Sequence, residues 1–232
     1  MWNLANKVGP LATMIEVTSG RYYHWHDASG AELWLQVNHE NELIGMNPHF
    51  AGNSHFPIGL TKRIIRPDDT ALDGAIHAWA NPSTDELESG YYPFVFDVPN
   101  LAQHPNLEIP QMAHVQISAF AHNVTLYDSL DEHENSSSDT PTFASQSFIP
   151  SGLFNLEEGS IDPPQSYAIF TGHIIQAEEK VNTLTDNTYI WSSVDTLGGI
   201  FDVVIDSALV SNLPKVGGIL SGTFWLSGTL KF

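Results

Sequence analysis

Apolar and polar side chains alternate along much of the chain with the two-residue period of β-strands, in short runs closed by turn residues. Residues 11–18, 21–26, 31–37 and 42–46 read as four strands. Ser19-Gly20, residues 27–30 and residues 38–41 supply the turns between them, which predicts a hairpin meander. Residues 47–57 carry Pro48, Gly52, Asn53 and Pro57 and read as a long loop. Residues 61–65 and 91–98 are strands, the second with Phe94 and Phe96 turned inward, whereas residues 71–80 fit a helix or a strand. Residues 113–126 carry the clearest long strand pattern of the first half.

The pattern then breaks. Residues 128–146 hold five acidic side chains, a serine run at 136–138 and only Leu130 and Phe143 as large apolar groups, the composition of a loop or linker. Residues 148–161 are expected to pack onto the first domain, and Pro163-Pro164 to stiffen the join. Strand patterns resume at 167–181, 188–196, 200–205 and 219–230, with a short helix or loop over 207–212 that Pro214 stops. Gly172 lies inside the first of these strands, Gly198-Gly199 joins the second to the third, and Pro214-Lys215-Val216-Gly217-Gly218-Ile219 leads into the last run. On those residues, 166–232 resembles the OB-fold, a five-stranded barrel. The expected architecture is all-β, with an antiparallel β-domain over 1–127, a linker over 128–165 and a small OB-like barrel over 166–232.

Charge and composition narrow the function. With 27 acidic and 8 basic residues the formal net charge is −19. Such a field repels phosphate backbones and so argues against nucleic acid, which an OB-like barrel would otherwise suggest. The chain has no cysteine, no apolar run of membrane-spanning length and no signal-like segment among residues 1–15, so a cytoplasmic protein is expected.

Two features carry candidate chemistry. His24 and His26 stand two apart on a strand and so share one face, and a loop bearing His49 and His55 follows. A His-x-His strand opens cupin-like metal motifs, but Glu32 lies further along than the carboxylate of that motif. The second feature is aromatic: Tyr189 and Trp191 share a face of the second barrel strand, where OB-like domains meet their ligands. Signatures of nucleophilic, phosphate-binding and zinc-protease sites are absent. The expectation is a non-catalytic binding protein acting through a protein partner or self-association, with Tyr189 and Trp191 as its binding residues. The alternative is a metal-dependent enzyme or sensor holding a divalent transition metal on His24 and His26.

Overall fold

The computed structural model describes residues 2–136, 143–154 and 162–232. The first sheet is an antiparallel meander of β1 (Thr13–Val17), β2 (Gly20–His26), β3 (Ala31–Val37) and β4 (Leu43–Phe50) in sequential order. Its turns fall where the polar clusters predict them, with Asn41 in the left-handed region at φ 67° and Asn38 Oδ1 accepting the Glu42 N–H at 2.8 Å. A helix that the alternation does not announce, α1 (Trp2–Val8), places Leu4, Ala5 and Val8 against Trp25, Leu33 and Leu35 of the meander.

Strand β4 corrects the expected long loop. It pairs with β3 as far as Phe50 opposite Ala31, so the loop shrinks to 51–55. Pro48 is tolerated inside it because β4 is an edge strand of its sheet, where a missing N–H breaks no second ladder.

The remaining strands are β5 (Phe56–Ile64), β6 (Ala75–Ala80), β7 (Pro93–Asp97), β8 (Gln111–Tyr127), β9 (Ser147–Ile149), β10 (Tyr167–Val181), β11 (Thr188–Thr196), β12 (Gly199–Asp206) and β13 (Ile219–Lys231). Strands β8 and β13 pair antiparallel almost end to end, from Tyr127 opposite Ile219 to His114 opposite Lys231. The far edge of each is then used twice. The C-terminal half of β8 and the N-terminal half of β13 close a ring through β12, β11 and β10. Their other halves close a second ring through β5, β6 and β7. One cluster of buried side chains draws on both rings, with Phe56 and Phe94 from one and Phe201 and Phe224 from the other. Burial of this continuous apolar mass is the main favourable term in holding the strands together.

The sequence expectation for 166–232 is met in part. That stretch supplies four strands, and the strand linking β12 to β13 is β8, which lies far earlier in the chain. Gly172 marks a close approach, since a Cβ there would strike the Asp195 carbonyl across the ladder. The short helix expected after Asp206 is one 3-10 turn, Ser207–Leu209, capped by Asp206 Oδ1 accepting the Ala208 N–H at 2.9 Å.

Residues 71–80 resolve as a turn followed by β6, because Ile76, Ala78 and Ala80 face the core at strand spacing. Part of the expected linker, residues 137–142 and 155–161, lies outside the described residues. Within the rest, a helix α2 (Leu130–Asn135) is capped by Ser129, and Phe148 of β9 stacks on Tyr92 at 4.0 Å.

Candidate functional site

Strand periodicity divides β8 into two faces. Ala113, Val115, Ile117 and Ala119 point into the barrel, and Gln116 and Ser118 point out, yet both polar side chains are buried. They are buried because the end of β4 covers them. Ser118 Oγ donates to the Phe50 carbonyl at 2.8 Å, and His49 reaches through to the barrel wall.

His49 is held on both ring nitrogens, Nδ1 at 2.9 Å from Ser227 Oγ and Nε2 at 2.8 Å from Gln116 Oε1. Gln116 Nε2 in turn donates to Asp202 Oδ2 at 3.0 Å, and the Trp191 indole N–H donates to Asp202 Oδ1 at 2.9 Å. The chain of contacts thus runs from β13 through β4, β8 and β12 to β11. Burial pushes the His49 ring below its ordinary value of 6.5, against the pull of Glu32 and Gln116, so it is neutral in the folded protein near pH 7. Burial likewise raises the Asp202 carboxyl, opposed by donation from Trp191, Gln116 and the Ser54 backbone. Gly52 is required beside it, because a Cβ at that position would overlap the Asp202 carboxylate. These groups satisfy one another and bind the meander to the barrel.

Next to this network the two layers separate. A cavity of about 240 Å³ lies between them, walled by Leu4 of α1, Trp25, Leu33 and Phe50 of the meander, and Phe120, Tyr189 and Val204 of the barrel's outer face. The turn between β10 and β11 closes one side with Asn182, Leu184 and Thr185. The walls are mainly apolar and aromatic. Tyr189 turns its hydroxyl to the Ser29 carbonyl, 2.9 Å away, and burial, aided by the charge of Asp27, raises its pKa and keeps it a donor.

The two predicted aromatics therefore share a face, but the face is the one beneath the meander. Phe50 stacks on Trp191 at 5.9 Å between ring centroids and meets Tyr189 edge-on at 6.4 Å. Both are half-buried, with Tyr189 lining the cavity and Trp191 backing Phe50.

Compared with known proteins, the chain matches no family model, no curated protein and no solved structure.

The histidine candidates separate. His24 stacks flat on Trp34 at 3.8 Å, with Nε2 3.2 Å from Glu32 Oε1, close enough for electrostatic contact but off the line of a hydrogen bond. His26 is exposed, its ring 5.5 Å from that of His24. His49 is occupied on both nitrogens, and His55 Nδ1 lies 2.9 Å from the Asn53 carbonyl. Among the described residues, no three His, Asp or Glu side chains are grouped to hold a metal ion. Glu32 stays ionised: burial would raise it, but the His24 and His49 rings and the Trp34 indole outweigh that and hold it below its ordinary value. No helix among the described residues is long and apolar enough to cross a membrane.

The cavity depends on residues that sequence reasoning passed over, chiefly Leu33, Phe120, Leu184 and Val204. Gln116 and Ser118 were the available signal, two polar side chains at alternate positions in the otherwise apolar run 115–121.

Proposed function

We propose that the protein is a non-catalytic binding protein that takes a small, largely apolar molecule into the cavity between meander and barrel. The observation that carries this reading is the cavity itself: about 240 Å³, near the lower end of known ligand sites, with Trp25, Phe50, Phe120 and Tyr189 around it. Apolar walls favour ring compounds through burial and aromatic contact, and a one- or two-ring molecule suits the volume. Tyr189 and Trp191 keep a role here, Tyr189 as wall and Trp191 as the support of Phe50. A large protein partner reaching the same two rings would first have to lift the meander from them. The OB likeness is kept as part of this proposal in one form: β10, β11, β12 and β13 are four of its strands, and β8 takes the fifth place.

The test is titration with 1-aminonaphthalene, a two-ring dye uncharged at neutral pH whose emission brightens in apolar surroundings. Saturable binding is expected at one site per chain. Val204→Trp, which fills the cavity from the barrel side, is expected to abolish it without lowering the melting temperature. Equal binding by the native chain and Val204→Trp would refute the site.

A further inference from the structure

The wall formed by residues 182–187 differs in construction from the others. Strand β10 pairs with β13 up to His173, Ile174 exchanges backbone hydrogen bonds with Gly217 and Gly218, and from Gln176 onward its partner among the described residues is β11. The pairing has an irregularity between Ile174 and Gln176, after which β10 runs to the turn as the edge of a sheet in which β11 is also paired with β12 as far as Tyr189. Beyond the last β11–β12 pair, Tyr189 with Asp206, no third strand continues among the described residues, so the turn at 182–187 projects past the sheet. The turn is internally well made: Asn182 Oδ1 accepts from the Leu184 and Thr185 N–H groups at 3.0 and 3.1 Å, and Asp186 takes φ 57°. It is therefore built to move as a unit.

Its attachments to the meander are few and specific. Asp27 Oδ2 accepts both the Thr183 N–H at 2.8 Å and the Thr183 hydroxyl at 2.9 Å. Asp27 Oδ1 accepts from the Ser29 N–H at 2.8 Å and also from its hydroxyl, which sets the carboxylate's orientation. Below the turn, where β11 is still paired with β12, Tyr189 donates to the Ser29 carbonyl. Leu184 is the one apolar plug, partly buried against Trp25 and Leu33, while Thr183, Thr185, Asp186 and Asn187 are exposed.

We infer that the β10–β11 turn, residues 182–187, is the lid of the cavity and that Asp27 is its latch. The inference rests on the binding role proposed above. Opening requires loss of the two Thr183 contacts and withdrawal of Leu184, a local change that leaves both barrel rings closed. Contacts this few set a low free energy of local opening relative to the core strands. Neither Asp27 nor Thr183 lines the cavity, so the latch governs how fast a ligand enters and leaves and has little effect on how tightly it is held.

Two variants test it, Asp27→Ala from the meander side and Thr183→Val from the turn. The second removes one hydroxyl contact and leaves the β2–β3 turn intact. Amide hydrogen exchange at Thr183 is expected to quicken by about tenfold or more in Asp27→Ala, with Leu184, Thr185, β8 and β13 unchanged. Stopped-flow mixing with 1-aminonaphthalene is expected to show association and dissociation both faster, in the order native, Thr183→Val, Asp27→Ala, with their ratio constant within about threefold. Faster exchange with unchanged dye kinetics would overturn the lid, since the dye would then enter elsewhere, and would leave the binding site standing. Unchanged exchange at Thr183 would overturn the latch. Absence of dye binding in the native chain would remove the site and the lid together.

Discussion

The Trp191 indole N–H donates to Asp202 at 2.9 Å across neighbouring strands, and the same carboxylate accepts Gln116 from the other side. One buried acid thus joins β11, β12 and β8 on the barrel face that the meander covers. Removing an acceptor from buried donors costs more than the bonds themselves contribute, because the donors remain unpaired and dry. Asp202→Ala is expected to lower unfolding free energy by about 3 kcal/mol or more, and Trp191→Phe by about 1–2 kcal/mol. Urea unfolding of the two variants, with an unchanged denaturant slope, is the measurement.

Gly52 gives the same region a steric test. Its backbone runs so close to Asp202 that even one methyl group would displace the carboxylate. Gly52→Ala is expected to destabilise by about 1–3 kcal/mol, as overpacked interiors do. A crystal structure or amide spectrum of the variant should show the change confined to residues 49–55 and the Asp202 surroundings.

Acid should weaken the fold through His49. The buried ring has its pKa below the ordinary 6.5, so in acid the unfolded chain takes up a proton that the folded chain refuses. The stability this contributes is present above about pH 6.5 and is lost as pH falls through the folded-state value. Burial depresses His77 and His104 in the same sense. Urea midpoints measured between about pH 7.5 and 5.5 should therefore fall with acidification, and His49→Gln should flatten that slope without abolishing it.

At β7, where Asp97 pairs with Ser227 of β13, Arg66 performs a comparable joining role. Its guanidinium donates to Asp97 Oδ1 at 2.7 Å, Ser166 Oγ at 2.9 Å and the Pro164 carbonyl at 3.1 Å, while Trp225 donates to Asp97 Oδ2 at 2.6 Å. A planar fork makes all three bonds, and an ammonium group cannot. Arg66→Lys is expected to lose about 1–2 kcal/mol, close to the loss from Arg66→Ala. Thermal melts of the pair compare them directly.

The alternation of side chains was enough to read strands over most of the chain, because a strand exposes its two faces within the local sequence. It gave the meander and the inward Phe94 and Phe96, and it placed Tyr189 and Trp191 on one face of β11. It did not give β4 beyond Met46. Pro48 signals a loop unless one knows that the strand has a free edge, and an edge is a property of the sheet.

What the sequence determined by itself is the all-β class, the acidic character and the two-sided pattern of β8. Only the tertiary structure decided that β8 completes a ring with strands that lie some 40 residues or more beyond it, that Gln116 and Ser118 are buried, and that the Tyr189 face is roofed by the meander. The physical reason is the range of the interactions. Alternation follows from the geometry of a single strand, whereas ring closure, the His49 to Asp202 network and the cavity arise where distant segments meet, and no local pattern records which segments those are.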